Sequence, residues 1–101
     1  MMVRFQFPAE AGNEVIRSGK IQKFFDAIMP DLKPEAAYFF PEGGQRAGLL
    51  VFDMQESSQV VDVVERFCFG LGANVEMTPV MNAEDIQKGM AKLPGIIERY
   101  G

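Results

Sequence analysis

Histidine and tryptophan are absent from the chain, and cysteine occurs once. The lack of histidine removes the commonest general acid–base group and the commonest metal ligand. A single thiol, Cys68, excludes an internal disulfide framework and any paired-thiol zinc or redox site. Cys68 stands among Val63, Val64, Phe67 and Phe69, so it is expected to be a buried free thiol in a reducing compartment. Catalytic use of that thiol would need a basic partner, and histidine is not there to supply one.

Positive charge is also scarce. The net charge is −4, and no two Lys or Arg residues are adjacent. Nucleic-acid affinity rests mainly on neutralising phosphates, so DNA and RNA are not expected partners. No stretch approaches the ~20 apolar residues that span a bilayer. The opening Met1–Phe7 segment lacks the apolar region of a signal peptide. A soluble cytoplasmic protein with no membrane partner is the expectation. No glycine-rich loop follows a strand and opens a helix with phosphate-loop spacing, and Gly70-Leu71-Gly72 follows a helix instead. No cofactor is therefore expected. Nor is a metal: Glu84-Asp85 suits the first turn of a helix, Asp53 with Glu56 suits a strand-to-helix junction, and no loop has calcium-site spacing. The seven methionines are dispersed and read as core filler.

What is present is a regular alternation of segments along 101 residues, enough for one domain spanning 1–101 that buries roughly two-thirds of its unfolded surface. Val3, Phe5 and Phe7 alternate with Arg4 and Gln6, the period of a half-buried strand that Pro8 ends. Asn13 is the expected cap of a helix carrying Val15, Ile21, Phe24, Phe25, Ile28 and Met29, with Gly19 packed closely on the sheet. Pro30 and Pro34 bracket a loop. Strands over 36–40 and 47–52 flank a Gly43-Gly44 hairpin turn, and Gly48 marks a bulge or a close approach to the backbone. Ser57 or Ser58 caps a helix with Val60, Val61, Val64, Phe67 and Cys68 on its apolar side, ended by Gly70 and Gly72. A fourth strand runs over 74–80. Asn82 with Asp85 then has capping-box spacing before a helix striped by Ile86, Met90 and Leu93, leaving an Ile96-Ile97 tail.

The β-α-β-β-α-β order predicts an α+β, ferredoxin-like fold: a four-stranded antiparallel sheet with helices on one face. Val3, Phe5, Phe7, Val75 and Met77 should face the helices, leaving Arg4, Gln6, Glu76 and Thr78 on the opposite face. On the middle hairpin both alternating sets are apolar, where a wet face would be polar. An apolar, helix-free face needs a partner, and a second copy in a two-fold dimer is the simplest.

With that order and that face, the chain resembles the dimeric α+β barrel superfamily, whose ferredoxin-like subunits pack sheet against sheet. The segment Ala73-Asn74-Val75-Glu76-Met77-Thr78-Pro79-Val80-Met81-Asn82-Ala83-Glu84-Asp85 is similar to the closing segment of a family of short uncharacterised bacterial proteins with that fold. The superfamily includes cofactor-free monooxygenases, muconolactone isomerases and haem-degrading enzymes. Several lean on a histidine, so their haem-ligand and histidine-acid mechanisms do not carry over. The narrower family brings no activity with it.

Ligand-binding candidates are Arg4, Gln6, Tyr38, Phe40, Glu76 and Thr78, facing the barrel interior. Aromatic walls with a few convergent polar groups suit a small hydrophobic or aromatic metabolite. Arg4 would hold a carboxylate or enolate oxygen, and Glu76 is the candidate catalytic base, a role that requires partial removal from water. Alternatively Arg4 and Glu76 pair with each other across the strands. Competing readings are an ACT-like regulatory module binding an amino acid near Gly12, and a ligand-free structural subunit. An RNA reader of the RRM type shares the order, but Arg46-Ala47-Gly48-Leu49-Leu50-Val51-Phe52-Asp53 lacks an outward stacking pair with basic neighbours.

Overall fold

Val3, Phe5 and Phe7 are buried and Arg4 and Gln6 half-buried along β1 (Met2–Phe7) in the computed structural model, which describes residues 1–101. The remaining elements are α1 (Ala9–Arg17), α2 (Lys20–Leu32), β2 (Ala36–Glu42), β3 (Gln45–Val51), α3 (Gln59–Leu71), β4 (Asn74–Thr78), α4 (Ala83–Met90) and α5 (Leu93–Tyr100). The four strands form one antiparallel sheet in the order β2-β3-β1-β4. The molecule is thus α+β, with five helices.

The first helical region differs from the single helix capped at Asn13. It opens at Ala9, directly after Pro8, whose φ of −60° is already that of a helix and whose carbonyl accepts the Gly12 N–H at 2.8 Å. It then breaks at Gly19, where φ is +79°. A methyl group on Gly19 would meet nothing within 4 Å, so the residue is there for its backbone angle and not for packing on the sheet. The expected loop after Pro30 is also absent. Pro30 lies exposed in the last turn of α2, which continues because Ile28 and Leu32, one turn apart, are both buried. The helix ends at Lys33, left-handed at φ 47°.

The hairpin turns at Gly43-Gly44, both at positive φ. The pairing of β1, β3 and β2 runs unbroken through Phe5, Gly48 and Phe39, so Gly48 marks a close approach and no bulge. The strand expected over 74–80 stops at Thr78, because Pro79 has no N–H to continue the ladder.

In α3 the buried residues are Val63, Phe67 and Leu71, spaced i, i+4, i+8. Val61 is exposed, and so are Phe69 and Cys68, which corrects the expectation of a buried thiol. The helix carries apolar residues around most of its circumference. Its buried side is set by what packs on it, namely the Phe5 and Phe24 rings, each 4.8 Å from Phe67 between centroids. Gly70 lies within the helix, and Gly72 alone caps it, at φ 62°. Ser58 occupies the N-cap position without capping the helix backbone, its hydroxyl donating to Glu56 Oε1 at 3.1 Å; the Gln59 Oε1 accepts the N–H groups of Gln55 and Glu56 instead.

Arg66 clamps α3 to α2 by a hydrogen bond of 2.7 Å to Asp31, and bonds Asp62 one turn back in its own helix at 3.1 Å. The Asp31 bond is the main cause that raises the Arg66 pKa above its ordinary value, against a smaller opposing effect of burial. A raised cationic pKa stabilises the fold fully below the ordinary value and is lost only above the raised one. The side chain is 36% exposed, so solvent screening limits the clamp to about 1 kcal/mol or less.

At the C-terminal end, Asn82 and Asp85 form the expected capping box, with bonds of 2.8 and 3.1 Å. Neither α4 nor α5 contains a buried residue. Ile86, Met90, Ile96, Ile97 and Tyr100 are all exposed. No helix is long and apolar enough to cross a membrane.

Candidate functional site

Strand register places all six candidate residues on the sheet face away from the buried Val3, Phe5 and Phe7. Tyr38, Leu49, Arg4 and Glu76 form one row across the four strands. Phe40, Ala47, Gln6 and Asn74 form the next row, and Ala36, Val51, Met2 and Thr78 the third. Alternation along each strand therefore brings the candidates to a common surface, as the sequence predicts.

The contacts within that surface are less expected. Arg4 lies directly opposite Glu76 in the register, yet its guanidinium donates to Glu42 Oε1 at the far end of β2. The Arg4–Glu76 pair is thus replaced by an Arg4–Glu42 pair, and the Glu76 carboxylate, exposed on the single chain, makes no ion pair. Glu42 carries a charge that completes the Arg4 environment and was not singled out by sequence. Alternation over β2 does put it on the Tyr38–Phe40 side, but a residue bordering the turn gives no sign of reaching two strands across.

A groove of about 330 Å³ runs along this face between Arg4, Gln6, Glu42, Asn74 and Glu76. Tyr38, Phe40 and Thr78 lie outside it. Tyr38 is 64% exposed, while Phe40, Leu49 and Val51 are half-buried beside it, and no helix lies over them. The face thus divides into an apolar part on β2 and β3 and a polar groove on β1 and β4.

The largest cleft lies on the other side of the sheet, at about 640 Å³. It opens between the β2–β3 hairpin and the helices, and Phe5, Phe7, Ile21, Phe25, Phe39 and Arg46 line it. Phe40 reaches its wall as well. The Phe39 ring meets Phe25 edge-on at 5.5 Å but stays 59% exposed, because nothing fills the space in front of it. Sequence reading passed over this cleft. Its one available signal was the alternation of Arg46, Gly48 and Leu50, which sends a cation to the helix side of the sheet.

Gly12 sits buried at the same end of the molecule. A methyl group there would stand 2.7 Å from Arg46 Nη1 and 2.8 Å from the Phe7 ring, so the missing side chain is what lets α1 settle on the sheet. No group of three or more acidic, thiol or imidazole side chains converges to hold a metal ion. Comparison of the chain with family models, with curated proteins and with solved structures finds no match.

Proposed function

We propose that two copies of this chain pair through their helix-free sheet faces, as ferredoxin-like subunits do in a dimeric α+β barrel. The enclosed interior then binds a small hydrophobic or aromatic molecule. One observation carries the reading. A continuous strip of Tyr38, Phe40, Leu49 and Val51 lies uncovered beside the Arg4–Glu76 groove, on a face that a monomer would be expected to keep polar. The strand order β2-β3-β1-β4 with all neighbours antiparallel supports the fold assignment. A free thiol suits a cytoplasmic setting.

Closure of the barrel would remove the groove from bulk water. Arg4 and Gln6 would then hold an oxygen of the ligand, with Tyr38 and Phe40 as apolar walls and Thr78 at the groove's open end. Glu76, the one carboxylate of the face without a cation, is the base if the ligand is transformed.

Native mass spectrometry of gently purified protein tests the pairing and the ligand together. The expected result is a dimer carrying a small added mass, with Glu76→Gln folding normally and losing that mass. Leu49→Lys, placed at the centre of the strip, should give a folded monomer. A wild-type monomer, or a Leu49→Lys dimer, overturns the pairing; unchanged ligand in Glu76→Gln removes the role of Glu76.

The ACT-like reading has one observation in its favour, the position of Gly12 beneath Arg46 at the edge of the largest cleft. A ligand-free structural subunit would instead require an interior filled by the protein's own side chains.

A further inference from the structure

We propose a second binding site, independent of the barrel interior: the 640 Å³ cleft on the helix side of the sheet takes a monocarboxylate with a flat apolar body, held by Arg46. The volume falls within the roughly 300–1,000 Å³ of small-molecule pockets. Two features of the cleft agree on the ligand's chemistry.

First, its walls are aromatic and incompletely covered. Phe25 and Phe39 meet edge-on at 5.5 Å while Phe39 stays exposed, an arrangement that receives another flat apolar group. Second, the cleft has a single charge. Arg46 is the only charged residue on its walls, no carboxylate lines it, and Arg46 makes no ion pair anywhere in the molecule. By contrast Arg4, Arg17 and Arg66 each have an acidic partner. The one hydrogen bond of Arg46 reaches the Ala9 carbonyl at 3.5 Å, a length at which little is gained. A planar guanidinium with free donors is matched by a carboxylate, which accepts two of them in parallel. The α1 helix opens at Ala9 on the same rim, so its unpaired N–H groups add to the preference for an anion.

The test uses 2-naphthoate and its uncharged analogue 2-naphthalenemethanol, titrated against the full chain by naphthyl fluorescence. The protein has no tryptophan and two tyrosines, so the background is low. Wild type should prefer naphthoate by roughly tenfold or more, the scale of a charge-assisted hydrogen-bonded pair. Arg46→Gln should abolish that preference while leaving the naphthalenemethanol affinity in place, and Arg46→Lys should restore part of it. Phe39→Ala should weaken both probes together. Arg46 is exposed, so these variants are expected to fold, which circular dichroism checks.

Equal affinity for the two probes, no naphthoate binding at millimolar concentration, or a preference that survives Arg46→Gln each overturns the proposal. Arg4→Gln separates it from the barrel reading. A naphthoate preference lost in Arg4→Gln and kept in Arg46→Gln places the anion on the opposite sheet face, which overturns the cleft and leaves the barrel interior standing.

Discussion

Gly48 lies between Phe5 and Phe39 in the sheet, and a methyl group added to it would stand 2.5 Å from Phe5 Cζ and 2.9 Å from the Tyr38 carbonyl oxygen. Phe5 cannot easily move aside, because its ring is buried and stacks on Phe67 at 4.8 Å. Gly48→Ala is therefore expected to cost about 1–3 kcal/mol, the range for overpacking a filled core. Urea unfolding measures it, and an unchanged midpoint would mean that the Phe5 ring has a second resting place. The sequence marked Gly48 as unusual without choosing between bulge and close approach, since the approaching ring lies more than forty positions away in the chain. Asn82 was readable for the opposite reason: both partners of its capping box lie within one turn. Cys68 was misread because its neighbours in sequence are apolar, whereas its neighbours in space are decided by a helix rotated to bury Val63, Phe67 and Leu71.

Among the elements, the break between α1 and α2 was the hardest to foresee. The apolar spacing of Val15, Ile21, Phe24, Phe25 and Ile28 runs through it, and periodicity alone reports one helix. The break depends on a single backbone angle at Gly19, which no side-chain pattern encodes. Gly19→Ala should cost about 1–2 kcal/mol, the penalty for an L-residue in the left-handed region, with no contribution from crowding because the space around it is empty. Thermal unfolding with Gly19→Asn as companion checks the cause. Asn tolerates that region better than Ala, so it should recover part of the loss, whereas a packing defect would worsen with the larger side chain. The sheet was legible where the helices were not. Period-two alternation in β1 and β4, and a glycine pair at the hairpin, fix which residues share a face, and the candidates Arg4, Gln6, Tyr38, Phe40, Glu76 and Thr78 do share one. Which of them touch is another matter. The Arg4–Glu42 pair spans two strands diagonally, and alternation does not reach that far.

The whole molecule is drawn out, with extents of 58 × 29 × 21 Å and a radius of gyration of 17.1 Å. A folded domain of this length has a radius near ~13 Å. The excess accompanies α4 and α5, which bury no residue yet carry Ile86, Met90, Ile96, Ile97 and Tyr100 in the open. Solvated apolar side chains on two short helices give those helices little reason to be ordered, since helices of this length are marginal without packing. The capping box and the Lys88–Glu84 pair at 3.2 Å are local and add only tenths of a kcal/mol to about 1 kcal/mol. Under the pairing proposed above, the arm finds its packing on the second copy, and its apolar stripe becomes part of the interface. Removing residues 94–101 should then raise the dimer dissociation constant by roughly tenfold or more. The same deletion should leave the unfolding of the monomeric Leu49→Lys variant nearly unchanged, because α5 buries nothing within its own chain. Sedimentation velocity over a concentration series measures the first effect and thermal unfolding the second. Unaltered association would retire the arm as a dimer contact, and a large loss of stability in the monomer would show that α5 folds back onto its own subunit.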